Sequence, residues 1–300
     1  MKKVVLITGA NGMLAKQVAK QLEGNYSIRF LTRKVTRANE FLWDLESKTI
    51  DPNALKDVHT IVHLAGSSIA DKRWTKKRKE LILSSRVDSA HLILDECKKN
   101  KIGLQAFVSA SAVGYYGTAT TDNIYTEESE NGTDFLSTVC KEWENAAYAF
   151  KLNGVAKRVA VLRIGIVLAK NGGALQKIVR PIKSRIGSAI ATGKQYMPWI
   201  HIKDLSRLFN FIIVNEELSG NFNAVAPEHA TNNELTKRIA KVLHRRLIFP
   251  NVPRLIIRAL FGEMGEIVLN GSRVSSDKIV SAGFEFKFGE LNDALSSVVE

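Results

Sequence analysis

The run Lys3–Thr8 (KVVLIT) leads without a break into Thr8-Gly9-Ala10-Asn11-Gly12-Met13-Leu14-Ala15, and this junction limits the fold more than any other stretch of the chain. A short apolar, β-branched run reads as a buried strand. From Gly12 to Leu22 the spacing changes to that of a helix, with Leu14, Val18 and Leu22 on one face. A glycine-rich turn between a buried strand and a helix points unpaired backbone N–H groups and the positive end of the helix dipole at one spot, which suits a phosphate. Gly9 permits the tight turn, Gly12 lets backbone approach a pyrophosphate, and Ala15 is small enough for helix and strand to pack closely.

The rest of the chain continues in the same manner. Strands are expected at Ser27–Thr32, Phe41–Asp44, Thr60–Ala65, Gln105–Ser109, Arg158–Arg163 and Asn221–Val225. Helices are expected at about Lys76–Asn100, with Leu81, Val87, Leu92 and Leu94 as core candidates, and at Asp134–Leu152, Asp204–Asn215 and Asn233–Leu243, with a further helical run ending at Gly262. Strand and helix alternation predicts an α/β fold, a Rossmann-type doubly wound parallel sheet. Between Gly172 and Pro198 the glycines suggest loops. The expected plan is a dinucleotide-binding domain over residues 1–226, with substrate-side loops at 165–200, and a smaller C-terminal domain over 227–300.

The end of the second strand selects the dinucleotide. An acidic residue there suits the free ribose hydroxyls of NAD. This chain has Thr32-Arg33-Lys34 instead, and two cations suit a 2′-phosphate, so NADP(H) is the expected cofactor.

Several segments together narrow the class. They are the phosphate loop, Leu64-Ala65-Gly66, Ser109-Ala110-Ser111, Trp43-Asp44, Arg73-Trp74, Ser85-Arg86-Val87, Val113-Gly114-Tyr115-Tyr116-Gly117, Trp143-Glu144, Gly172-Gly173-Ala174, Pro198-Trp199-Ile200-His201, Gly262-Glu263-Met264 and Gly283-Phe284. In these the chain resembles the extended short-chain dehydrogenase/reductases, and among them the atypical, YfcH-like epimerase family. The resemblance spans nearly the whole sequence. It implies a Rossmann fold binding NADP(H), with Gly9, Asn11, Gly12, Met13 and Leu14 in the phosphate loop and Thr32, Arg33 and Lys34 at the adenosine phosphate. Leu64, Ala65 and Gly66 would pass under the cofactor, Arg86 would contact it, and Ser109 to Ser111 would lie near the nicotinamide.

The catalytic signature of the wider class is absent. A Tyr-x-x-x-Lys pair moves the proton in a typical member, yet no tyrosine here is followed four residues later by lysine. Leu136 and Cys140 stand at the best-matching positions, and the resembling family shares this loss. Ser111 matches the serine that hydrogen-bonds a substrate oxygen. Tyr115 and Tyr116 follow it near the same strand end, where either one phenol reaches the site or both are packing residues. Cys140 reads as a buried, inert thiol. Asp204 is expected to cap the helix that starts there, with His201 either packing or lining the pocket floor.

Two functions fit. One is an NADP(H)-dependent oxidoreductase or epimerase acting on a small carbonyl or hydroxyl compound. The other is a non-catalytic NADP(H)-binding redox sensor. The net charge of +13 raises nucleic acid as a partner, but the cluster Lys72–Lys79 opens an amphipathic helix and reads as a solvated face. The six histidines and two cysteines show no metal-ligand spacing, so no metal is expected. No apolar run approaches the roughly 20 residues of a membrane helix, no secretory leader is apparent, and two cysteines are too few for a disulfide framework. A soluble cytoplasmic monomer or homodimer is the expectation.

Overall fold

The structure is a computed structural model that describes residues 2–299. The strands are β1 (Val4–Thr8), β2 (Ser27–Thr32), β3 (Glu40–Asp44), β4 (Thr49–Ile50), β5 (Val58–His63), β6 (Leu104–Ala112), β7 (Ile124–Tyr125), β8 (Ala156–Ile164), β9 (Ile166–Leu168), β10 (Trp199–His201), β11 (Gly220–Ala224) and β12 (Arg273–Val274). The helices are α1 (Met13–Leu22), α2 (Pro52–Leu55), α3 (Lys76–Lys99), α4 (Phe135–Leu152), α5 (Gly173–Lys183), α6 (Ile202–Val214), α7 (Asn232–Val242), α8 (Arg254–Phe261), α9 (Glu266–Leu269), α10 (Asp277–Ser281) and α11 (Leu291–Val299).

Eight strands form one sheet in the order β11-β8-β6-β5-β1-β2-β3-β4. Every pairing is parallel except that of β3 with the short edge strand β4. The chain winds outward in one direction through β1, β2 and β3, and in the other through β5, β6, β8 and β11. A crevice therefore opens between the C-terminal ends of β1 and β5, where the winding reverses. The doubly wound α/β fold read from the sequence is present.

Period-2 alternation supplies both faces of the sheet. Val5 and Ile7 of β1 face a core shared with Val18 and Leu22 of α1 and Leu205, Phe209 and Ile212 of α6. Leu6, between them, joins the opposite core with Ala90 and Ile93 of α3 and Ala147 and Phe150 of α4. A third core unites Leu175 and Val179 of α5 and Trp199 of β10 with Leu235 and Ile239 of α7 and Leu295 of α11. Residues from the 165–200 segment thus pack with those beyond 227.

Some local expectations need correction. Leu81 is 48% exposed, and Ile82 takes the core position beside it. The Gly172–Pro198 region is not all loop, because it contains α5, whose buried Leu175, Val179 and Ile182 recur at helical spacing. The strand expected at Thr60–Ala65 begins at Val58 and ends at His63, which frees Leu64–Gly66 to line the crevice.

Candidate functional site

The crevice is built around Gly9. Its φ is +75°, and a Cβ there would stand 2.9 Å from the Leu64 carbonyl oxygen. Only glycine lets the β1 turn come this close to the segment following β5. The Gly12 N–H donates to the Gly9 carbonyl at 2.8 Å, closing the turn. Gly12 is the N-cap of α1 and contributes no side-chain acceptor, and the helix has no acidic residue in its first turn. The first-turn N–H groups therefore remain available to an anion. Asn11 and Gly12 are exposed beside them, and Met13 and Leu14 are half-buried.

Thr8 and His63 lock the two strand ends together. Thr8 Oγ1 accepts from the backbone N–H groups of Leu64 and Ala65, both at 2.9 Å, and lies 3.1 Å from His63 Nδ1. With its lone pairs used, the threonine hydroxyl donates to Nδ1. The other ring nitrogen, Nε2, then carries the proton and donates to the Arg86 carbonyl at 3.2 Å. Burial pushes the His63 pKa down to about 4, so the ring is neutral.

At the outer end of the crevice, Thr32 Oγ1 donates to the Lys34 carbonyl and accepts the Lys34 N–H, shaping the turn that follows β2. Arg33 and Lys34 project from this turn and are exposed. Among the described residues neither joins an ion pair. The nearby carboxylate of Glu40 is occupied: it accepts from the Thr36 N–H at 2.7 Å, the Thr36 hydroxyl at 2.8 Å and the Arg37 N–H at 3.1 Å. These bonds hold its pKa below the usual carboxylate range. No free acid is left to bind a ribose diol or to neutralise Arg33 on this turn.

Past β5, Leu64 and Ala65 hang from Thr8, and Gly66 lies against the Arg86 guanidinium, whose Cζ would be 3.0 Å from a Cβ at Gly66. Arg86 donates to the Ile82 carbonyl at 2.8 Å and stacks 4.9 Å from the Trp143 ring. Burial, its main influence, lowers the Arg86 pKa to about 10, which leaves it charged at neutral pH.

The inner end is organised by a buried ion pair that sequence reading did not single out. Arg163 of β8 donates Nε to Glu144 Oε1 and Nη2 to Glu144 Oε2, both at 2.9 Å. Arg163 is 1% exposed and Glu144 5%. The same Oε1 accepts the Ser111 hydroxyl at 2.8 Å. Arg163 Nη1 reaches the Tyr116 hydroxyl at 3.0 Å, and that hydroxyl donates to Asn223 Oδ1 at 2.5 Å. Tyr116 is thus committed as both donor and acceptor, and burial raises its pKa to about 12. Tyr115 is half-buried, and its ring faces the Arg163 guanidinium at 3.4 Å. Ser109 is fully buried and donates to the Ala110 carbonyl at 2.9 Å.

Leu136 and Cys140, at the positions of the missing pair, are both buried on α4. Burial and the neighbouring Glu144 push the Cys140 thiol up to about 12, far from a thiolate nucleophile. Glu144 lies one helical turn beyond Cys140, so α4 still delivers a polar group to Ser111. The only sequence signal for this was Trp143-Glu144.

The helix cap after β10 is exchanged relative to expectation. His201, not Asp204, caps α6, its Nδ1 accepting the Lys203 N–H at 3.1 Å. Asp204 reaches across to the C-terminal segment, accepting the Lys287 N–H at 3.0 Å and the Phe288 N–H at 2.7 Å. Among the described residues, no group of three or more His, Cys, Asp or Glu side chains is placed to hold a metal, and no helix is long and apolar enough to cross a membrane.

A doubly wound sheet with an uncapped helix at its switch point is the architecture of a Rossmann dinucleotide-binding protein. Residues 5–225 match the model of the NAD dependent epimerase/dehydratase family, and residues 252–298 match a domain of unknown function. An epimerase family protein of Mycobacterium leprae is 34% identical, over 98% of this chain and 95% of its own. The mouse epimerase family protein SDR39U1 is 32% identical over 98% and 99%. The crystal structure of human SDR39U1 (isoform 2) with NADPH superposes with a TM-score of 0.88 at 28% identity, covering 99% of each chain. The chain belongs to the NAD-dependent epimerase/dehydratase family.

Proposed function

We propose that this protein binds NADP(H) in the crevice between β1 and β5 and uses it to oxidise or reduce a small carbonyl or hydroxyl compound. The observation that carries the reading is the uncapped N-terminus of α1, with exposed Arg33 and Lys34, in no ion pair among the described residues, at the neighbouring strand end. The first supplies N–H donors for a pyrophosphate and the second supplies charge for a 2′-phosphate. The human relative's structure with NADPH supports the same choice. Bound there, the dinucleotide would supply or accept a hydride.

Gly9, Asn11, Gly12, Met13 and Leu14 hold the phosphates in this reading, Thr32 shapes the turn bearing Arg33 and Lys34, and Leu64, Ala65, Gly66 and Arg86 line the floor. Ser109 sits behind that floor as support. Ser111 positions the substrate oxygen. Its proton is held by Glu144, so its oxygen accepts from a substrate hydroxyl more readily than it donates to a carbonyl. Tyr115 is the phenol left to exchange a proton, and Tyr116 holds Arg163 and Asn223 in place. Residues 227–300, with the 165–200 segment, form the small module over the crevice. Both cysteines are buried and unpaired, which supports a reducing, cytoplasmic setting.

A second reading is a non-catalytic sensor of the NADP(H) redox state. It is favoured by the commitment of the Ser111 and Tyr116 protons to Glu144 and Asn223. Titration with NADPH, NADP, NADH and NAD, followed by a screen of carbonyl and alcohol compounds with Ser111→Ala and Tyr115→Phe, separates the two. Turnover lost in both variants with cofactor affinity kept supports the enzyme. Turnover unchanged in both removes these residues from the chemistry. Tight NADPH binding with weak NADP binding and no turnover favours the sensor.

A further inference from the structure

Helix α8 is amphipathic the wrong way round for a solvated surface helix. Of its side chains only Ile257 is buried. Leu255, Ile256, Ala259 and Leu260 form a contiguous apolar arc of roughly 140° at 3.6 residues per turn, and it faces outward. Leu255 is 78% exposed, Leu260 61% and Ile256 47%. The turn before the helix adds Ile248 (69% exposed) and Phe249 (51%), and the turn after α5 adds Ile186 (64%). These two turns are tied together: Ser188 Oγ donates to the Pro250 carbonyl at 2.7 Å, and the Val252 N–H donates to the Ala189 carbonyl at 2.8 Å. Exposed apolar residues concentrated in this way mark an interaction surface.

The charge around the patch is one-sided. No Asp or Glu occurs between Lys170 and Asp204, nor between Glu234 and Glu263. Over the same stretches Arg185, Arg245, Arg246 and Arg254 are exposed. Of the arginines on α8, Arg258 is paired, with Glu266 at 2.8 Å. A second copy docking face to face would oppose cations to cations, which is costly. An anionic bilayer offers both requirements, acyl chains for the arc and negative headgroups for the arginines.

We infer that α8 and the turns at Ile186 and Ile248–Phe249 form a peripheral docking face for an anionic lipid surface. The contact lies in the interface and crosses nothing. It is independent of the cofactor reading.

The test is co-sedimentation of the full chain with vesicles of phosphatidylcholine alone and of phosphatidylcholine with 30% phosphatidylglycerol (roughly the range of anionic content that creates a useful surface potential). It is run beside the Leu255→Gln/Leu260→Gln double variant, which leaves the charge unaltered and changes only exposed side chains. The expected result is binding to anionic vesicles, weakened by salt and at least tenfold poorer in the variant. A thermal melt matching that of the parent shows that the variant is folded. Equal binding by variant and parent means that the net charge alone drives adsorption, and overturns the proposal. So does no binding to anionic vesicles. Sedimentation that shows a parent dimer and a variant monomer, without vesicle binding, assigns the patch to a second copy instead.

Discussion

Arg163 is the side chain on which the inner end of the crevice depends. It is fully buried, and among the described residues its only carboxylate partner is Glu144. Breaking a buried pair leaves an uncompensated charge, typically worth 3–5 kcal/mol. Glu144→Gln is expected to lose about that much in urea denaturation with an unchanged m-value, and to release the Ser111 hydroxyl. A loss below about 1 kcal/mol would show that the pair contributes little to the fold. His63 gives a pH dependence. Its folded pKa of about 4 lies below the ordinary histidine value, so the neutral form is favoured in the folded state. The associated stability is fully present above about pH 6.5 and is lost as pH falls toward 4, because the unfolded chain takes up the proton first. The full effect is on the order of 3 kcal/mol. Unfolding free energies measured from pH 7 to pH 4.5 are expected to fall more steeply in the parent than in His63→Gln, and parallel curves would remove His63 as the cause. Beyond the Trp143-Glu144 segment, none of these partners was legible in the sequence. A histidine ending an apolar strand and an arginine ending another look alike until their neighbours are known.

At the scale of elements, the β1–α1 turn was readable residue by residue, because its requirements are local. Gly9 needs a positive φ and contact with backbone, and Gly9→Ala meets both penalties: a strained conformation costing about 1–2 kcal/mol and a Cβ 2.9 Å from the Leu64 oxygen. Weak or absent NADPH binding in a variant that still melts cooperatively is the expected outcome, and tight binding would contradict this role for the turn. Helix α6 teaches the opposite lesson. In His-Ile-Lys-Asp the sequence reading made Asp204 the cap. The side chain of Asp204 instead satisfies two backbone N–H groups of a segment some eighty residues away. That leaves His201 as the cap, and because its buried ring also packs on Phe288 and bonds Ser297, His201→Ala is expected to cost more in denaturant titration than the roughly 1 kcal/mol of a lost cap alone. Helix α5 was hidden by the glycines of this region, Gly172-Gly173 at its start among them, whose turn signals outweighed the spacing of Leu175, Val179 and Ile182.

For the whole molecule, the cofactor reading predicts at least tenfold tighter binding of NADPH than NADH, about 1.4 kcal/mol, with the preference lost in Arg33→Ala. A preference unaffected by Arg33→Ala would place the 2′-phosphate elsewhere, and equal binding of both would remove the phosphate-binding role of this turn. Everything needed to state that prediction was in the sequence: alternating strands and helices, a glycine turn in its required context, and cations where an acid would otherwise stand. Those features were legible because periodicity and turn chemistry act over a few residues. The Ser111–Glu144–Arg163–Tyr116–Asn223 network was not, since its members come from β6, α4, β8, the turn after β6 and β11, with Tyr116 and Asn223 107 positions apart in the chain. The exposure of α8's apolar face was likewise undecided, because an amphipathic pattern states that a helix has an apolar side and not what covers it. Fold class and the glycine turn after β1 were legible in short stretches of sequence, where what each residue requires follows from its neighbours along the chain. Which buried charges meet, which hydroxyls are already bonded and which apolar face is left open emerged from the folded chain, because these depend on distances that packing alone sets.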